Sequence, residues 1–167
     1  MSAELVEVVD RQDRVLRVVT RSEMRRARVR HRAVFIAISD GEGRILVHRR
    51  ALTKDIWPGW LDIEVGGVVA SGETYDEAAE RELAEEVGVS GTLLRSLDEG
   101  VAQPFDDDDV SLIGRCYLVT TGGPFVFQDG EVSEAWWKTR DEFERLRASE
   151  RFLPDSLALL LPLLENW

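Results

Sequence analysis

A layered domain of α/β or α+β class is predicted for this chain of 167 residues. Two observations carry the prediction. Short apolar runs recur with strand-like alternation between Gly-, Pro- and Asp-containing turns, and one long stretch after Gly72 changes to helical spacing with its own start and stop signals. Strands interleaved with a few helices bury their apolar faces only by layering.

The elements follow in order. Alternation in "ELVEVVD" and "RVLRVV", separated by "RQD", predicts a short hairpin. "AVFIAIS" and "RILVHRR", joined by "DGEG", predict a second hairpin. "ALTKDIWPGWLDIEVGGVVASGE" reads as a long loop leading into a strand that arrives at Gly66 and Gly67. Thr74 and Glu77 have the spacing of a capping box, and Gly88 stands where a left-handed stop belongs, so a helix is predicted over Tyr75 to Val87. "VSLIGRCYLVT" and "EAWWKT" read as strands. "DEFERLRAS" and "DSLALLLPLLENW" read as helices, the last broken at Pro162.

Composition narrows the function. One domain over residues 1–167 is expected, since a chain of about 150 residues buries roughly 70% of its extended surface. The apolar run near the end falls short of the ~20 residues that cross a bilayer, so no membrane partner is expected. The N-terminus lacks a signal-peptide pattern, and the single cysteine, Cys116, suits a reducing, cytoplasmic location. A net charge of −11 argues against nucleic acid as a partner but leaves room for an anion held through divalent cations. The arginines from Arg21 to Arg32 form a local basic segment, read either as a solvated helix and strand edge or as a phosphate- or partner-facing patch.

The chemistry concentrates on the helix after Thr74. At about 100° per residue, Glu82, Glu85 and Glu86 share one sector of its surface, and Leu83 and Val87 occupy the adjoining, core-facing sector. Exposed like charges at this spacing cost a few tenths of a kcal/mol, whereas partly buried ones repel by roughly 3 kcal/mol. A partly buried trio therefore needs cations. Carboxylate oxygens with no His or Cys nearby in sequence favour Mg²⁺, with Mn²⁺ as the other candidate. Gly66 and Gly67 leave space for a backbone carbonyl or a ligand to approach the trio, and Arg81 can pair with Glu73 or with a helix carboxylate and fix it in place.

Counted from Gly67, the stretch runs Gly, five residues, Glu73, seven residues, then Arg81-Glu82-Leu83-Ala84-Glu85-Glu86-Val87-Gly88-Val89. It resembles the Nudix box at every defined position. The resemblance implies an α/β/α sandwich with a mixed sheet, expected here over residues 31–167, with the N-terminal β-hairpin read from alternation and the short basic segment occupying 1–30. It implies Mg²⁺-dependent hydrolysis of a small-molecule phosphoanhydride, a nucleoside diphosphate derivative or nucleotide, by water attack on phosphorus. In that reading Glu82, Glu85, Glu86 and the Gly66 carbonyl bind metal. Glu85 or Glu86 serves as base, Arg81 and Glu73 complete the catalytic set, and Gly67 borders the substrate.

A second resemblance runs from His31 to Glu73. Its "RRALTK…WPG" element is similar to that of type I isopentenyl-diphosphate isomerases, in which the corresponding Arg and Lys contact the substrate diphosphate, and this makes Arg50 and Lys54 substrate-binding candidates. Their other reading is as exposed ends of a strand and loop. The likeness fails where that family keeps a cysteine and a histidine, because Gly66 and Val68 take those places, and Cys116 reads as a core residue. His31 reads as structural or as a substrate contact. An isomerase-like branch of Nudix hydrolases is the expectation; an isomerase proper and a non-catalytic nucleotide-sensing module are the alternatives.

A further acid is sought outside the box. Asp107 and Asp109 in "DDDD" are candidates for the general base or stand in a solvated loop, and Glu131 and Glu134 before "AWW" are the others. Of Trp136 and Trp137, which alternate across a strand, one is expected to pack inward and the other to be available for stacking. Loops Lys54–Leu61 and Pro104–Asp109 are expected to set selectivity. The N-terminal hairpin and the apolar last helix offer surfaces for a homodimer.

Overall fold

Strand β3 (His31–Ser39) is apolar along nearly its whole length because both of its faces are covered. In the computed structural model, which describes residues 2–128, 130–165 and 167, the side chains of β3 alternate between two cores. Ala33, Phe35 and Ala37 join one, with Phe143 of α3 (Arg140–Arg147) and Leu160 just after α4 (Pro154–Leu159). Val34, Ile36 and Ile38 join the other, with Ala78, Ala79, Leu83 and Val87 of α2 (Tyr75–Val87). A helix layer on each face of one mixed sheet is the α/β/α sandwich the sequence leads one to expect.

Along one edge β3 pairs in parallel with β9 (Ser111–Thr120) over nine residues, from His31↔Leu112 to Ser39↔Thr120. Along the other it pairs antiparallel with β6 (Val65–Val68), from Ala33↔Val68 to Ile36↔Val65. The predicted hairpin of β3 with β4 (Arg44–Arg50) therefore closes only at its tip, through Ser39↔Ile45. The two strands then diverge because β6 occupies the edge of β3. Strand β4 pairs instead with β10 (Val132–Thr139) and, near its end, with the short β5 (Leu61–Asp62). β9 carries two short strands the sequence did not indicate, β7 (Arg95–Ser96) and β8 (Gln103–Asp106). The expected loop Pro104–Asp109 is thus strand for its first half.

The N-terminal hairpin forms as expected from β1 (Leu5–Val9) and β2 (Val15–Thr20). Helix α1 (Arg21–Ala27) follows, started by Thr20, whose hydroxyl accepts the Glu23 N–H. Val6, Val8 and Val19 pack with Met24 and Val68, so hairpin and α1 rest on the strand that carries the glycines. Leu16 and Val18 stay exposed. The last helix ends before Pro162, and Leu161–Leu163 form a 3₁₀ turn. Its apolar residues Leu160, Leu161 and Leu164 are spent on the core, so this helix is not the free dimer surface expected of it. Among the described residues, no helix is long and apolar enough to cross a membrane.

Candidate active site

Helix α2 is fixed at both ends by its own sequence. Thr74 Oγ1 accepts the Glu77 N–H at 3.1 Å and Glu77 Oε2 accepts the Thr74 N–H at 2.8 Å. Gly88 closes the helix at φ 70°, donating to Ala84 O. With Leu83 and Val87 locked in the core, the adjoining sector turns Glu82, Glu85 and Glu86 into a cleft of about 530 Å³.

Arg81 organises this surface. Its Nε and Nη2 donate to the two oxygens of Glu73 at 2.7 and 2.9 Å, and its Nη1 donates to Glu82 at 2.7 Å and to Glu85 at 3.2 Å. Nη2 also reaches the Val68 carbonyl at 3.2 Å, which ties α2 to β6. The fork of a guanidinium suits such a junction as no ammonium could. Glu73, whose other link is to the Ala70 N–H at 3.0 Å, is held below the usual carboxylate range by Arg81. Of this pair, placed by the resemblance among the catalytic residues, Arg81 lines the cleft and Glu73 does not, and Arg81 links Glu73 to Glu82 and Glu85.

The trio differs in burial. Glu82 is 7% exposed, Glu86 is half-buried, and the side chain of Glu85 is 60% exposed. Burial pushes the carboxyls of Glu82 and Glu86 up; Arg81 opposes the shift at Glu82, and Lys54 and Arg50 oppose it at Glu86. Both glycines sit in close approaches. A Cβ on Gly67 would lie 2.6 Å from Glu82 Oε1, and one on Gly66 would lie 2.1 Å from the Val34 carbonyl oxygen and 2.7 Å from Glu64 Oε2. Among the described residues no three His, Cys, Asp or Glu side chains already enclose an ion site, since Glu82 and Glu85 are drawn to Arg81. The donor set is nevertheless that of a hard divalent cation: three carboxylates on adjoining turns of one helix, with a space at Gly67 that any side chain would fill.

Arg50 and Lys54 both line the cleft, as expected of substrate-binding residues. Lys54 is ion-paired with Glu131, which also lines it. The other acids considered as bases lie elsewhere. Asp107 accepts the N–H groups of Asp109 and Val110, Asp109 accepts from Trp57 Nε1 at 3.3 Å, and Glu134 is exposed on β10. None of the three lines the cleft. Trp136 and Trp137 pack against opposite cores, so neither is the free stacking surface expected of one of them. His31 is buried, its Nδ1 beside the Val29 carbonyl, and burial lowers its pKa to about 4.

Of the basic segment from Arg21 to Arg32, the structure brings Arg21 and Arg25 of α1 into the cleft; Glu64 and Asp155, which also line it, were not singled out in the sequence. Asp62 and Glu64 lie one step apart on the same side of "LDIEV", and a buried oxygen of each lacks a hydrogen-bond partner in the structure. Burial beside Asp62 raises the Glu64 carboxyl well above the normal range. Asp155, buried at the start of α4, is pushed up to about 7 by burial and by Asp62. The spacing of Asp62 and Glu64 about Ile63, between β5 and β6, was the available clue for those two acids; Asp155 reads in sequence as an ordinary first-turn residue of a helix.

Comparison with known proteins places this geometry. The NUDIX domain family model matches residues 29–158. An uncharacterized Nudix hydrolase of Yersinia pestis is 40% identical over 157 residues, covering 94% of this chain and 84% of that relative. The uncharacterized Nudix hydrolase YfcD of Escherichia coli K12 is 38% identical over 95% of this chain and 86% of its own length. Among solved structures, DR0079 from Deinococcus radiodurans superposes with a TM-score of 0.81 at 26% identity, covering 97% of this chain and all of that one. The MutT protein of Methanosarcina mazei shares the fold, with a TM-score of 0.60 at 20% identity over 73% of this chain and 83% of its own.

Proposed function

The chain belongs to the Nudix family and is a hydrolase of acid anhydrides; on that premise we propose that it is Mg²⁺-dependent and cleaves a phosphoanhydride of a nucleoside diphosphate derivative or nucleotide by attack of water on phosphorus. One observation carries the reading: Arg81 holds Glu73, Glu82 and Glu85 in a single junction, and Arg81, Glu82, Glu85, Glu86 and Gly67 all line one cleft.

Glu82, Glu85, Glu86 and the Gly66 carbonyl would hold Mg²⁺, which would supply charge neutralisation for the phosphoryl oxygens and a lowered pKa for the attacking water. The chain supplies the rest. Arg81 holds the Glu82 and Glu85 carboxylates by ion pairs, Gly67 gives Glu82 its room, and the Lys54 and Arg50 cations stabilise the charge on Glu86. Of the acids considered as general base, Glu85, Glu86 and Glu131 are the ones that line the cleft. Positioning by a rigid helix is worth several orders of magnitude when the reacting groups need little rearrangement.

Isopentenyl-diphosphate isomerase chemistry draws no support from the site. Gly66 and Val68 offer neither thiol nor imidazole, and Cys116 is buried in β9, away from the cleft, with its thiol pushed up to about 12 by burial. The test is a panel of nucleotides and diphosphate derivatives incubated with purified protein and Mg²⁺ or a chelator, with products separated by chromatography. The reading predicts metal-dependent release of phosphate-bearing products, lost in Glu86→Gln with the fold intact. A folded, metal-binding protein inactive on the whole panel would reject it.

A further inference from the structure

In an acidic chain, cations readily find carboxylates, and here 32 Asp and Glu face 21 Lys and Arg. Most basic residues near the cleft follow that rule: Arg21 pairs with Glu4, Arg30 with Asp106, Arg32 with Glu7 and Asp13, and Lys54 with Glu131. Arg25 and Arg50 both line the cleft, and neither is in an ion pair among the described residues. Arg50 donates Nη2 to the Ile56 carbonyl at 3.1 Å, and its Nε is buried without an acceptor. For Arg25 the described residues provide no side-chain hydrogen bond.

Arg25 is also surrounded unfavourably. Burial, with Arg21 and Arg50 close by, lowers its guanidinium pKa to about 10. The acids within electrostatic reach, Asp55 and Asp155, are not in contact, and Asp155 holds its proton up to about pH 7. Two guanidiniums that line one cleft, partly desolvated and without a contacting carboxylate, are a costly arrangement for a folded protein unless an anion comes to them.

We propose that Arg25 and Arg50 together seat the terminal phosphate of the substrate, so that the cleft selects phosphoanhydrides ending in a free phosphate over those capped by an organic group at both ends. The charge and geometry match. A terminal phosphate carries close to two negative charges and three free oxygens, whereas a phosphate inside a capped diester chain carries one charge and two. Two planar forks supply the donors for the former. Arg25 precedes residues 29–158, the span of the family model, so the motif that supplies the chemistry does not specify this residue. The proposal rests on reading the cleft as the hydrolytic site and adds the class of substrate that it accepts.

The experiment has a binding arm and a kinetic arm on the full chain. Methylenediphosphonate, which water cannot cleave, is titrated calorimetrically with Mg²⁺ present into wild type, Arg25→Ala, Arg25→Gln, Arg25→Lys and Arg26→Ala; Arg26 is the exposed neighbour on the same helix. The expected result is a loss of affinity of about tenfold or more in Arg25→Ala and Arg25→Gln, a smaller loss in Arg25→Lys, and a change within about twofold in Arg26→Ala. In the kinetic arm, Arg25→Ala raises KM for a nucleoside diphosphate by about tenfold and leaves KM for a nucleoside diphosphate sugar within about twofold. Unchanged diphosphonate affinity in both Arg25→Ala and Arg25→Gln, no binding by wild type, or an equal rise in KM for both substrates would each overturn the proposal. Arg25-dependent diphosphonate binding by a wild type that hydrolyses nothing would support the phosphate seat and remove the hydrolase reading instead.

Discussion

Replacing Gly67 with alanine places a methyl carbon 2.6 Å from Glu82 Oε1, 2.7 Å from its Cδ and 2.8 Å from Oε2, where ordinary contacts begin at 3.4 Å. Relief requires the carboxylate to move by roughly 0.8 Å. Glu82 has little freedom to do so harmlessly, because it is 7% exposed and Arg81 holds it at 2.7 Å. Displacement of a positioned group by about 1 Å costs on the order of 10²-fold in rate, or about 2.7 kcal/mol of transition-state stabilisation. Stability should change by no more than about 1 kcal/mol, since the clash is with one side chain and alanine loses less backbone entropy than glycine on folding. The assay is kcat/KM with saturating Mg²⁺ beside a thermal melt. Gly66→Ala is the contrast: its methyl meets the Val34 backbone carbonyl at 2.1 Å, so that variant loses folded protein instead. A Gly67→Ala enzyme with wild-type kcat/KM would refute the reasoning that Glu82 is confined between Gly67 and Arg81 for function.

Arg81→Lys removes the fork that spans Glu73 and Glu82 while keeping the charge, and should cost about 10- to 100-fold in divalent-ion affinity or turnover, measured by Mn²⁺ titration and kinetics. Asp155→Asn addresses pH dependence. The folded carboxyl titrates at about 7, above the ordinary 3.8 of an aspartate, so ionisation destabilises the fold progressively as pH rises through that window and by a constant amount above it. The variant, which can still accept the Ser156 N–H, should therefore be more stabilised over wild type at pH 8 than at pH 5, with a ceiling of about 3 kcal/mol on the difference, read from urea unfolding without added metal. Cys116 should resist alkylation in the native protein at pH 8 and react once the chain is unfolded, and Cys116→Ala should keep its hydrolytic turnover, as followed by mass spectrometry and rate assays.

What was legible in the sequence was what local chemistry decides. The capping box of Thr74 with Glu77 and the left-handed Gly88 fix α2 within its own span, so its bounds and its acidic sector could be read directly. Arg50 and Lys54, singled out through the resemblance of one contiguous element, stand in the cleft. Pairings that depend on distant segments were not legible: nothing in "AVFIAIS" announces that β6 and β9, far along the chain, outcompete β4 for its edges. The same holds for the cleft itself. Glu64 and Asp155 look like ordinary residues and Arg25 is one arginine of six in a basic segment, and only their convergence from three separate segments gives them their shifted proton affinities.

The account turns on whether Glu82, Glu85 and Glu86 gather a hard divalent ion in the cleft. Electron paramagnetic resonance titration of Mn²⁺ into wild type and a Glu82→Gln/Glu86→Gln variant measures this directly, with circular dichroism confirming that both are folded. Saturable binding by wild type at submillimolar Mn²⁺, displaced by Mg²⁺ and weakened by about tenfold or more in the variant, is the predicted result. Equal Mn²⁺ binding by the two proteins, or none by wild type, would contradict it.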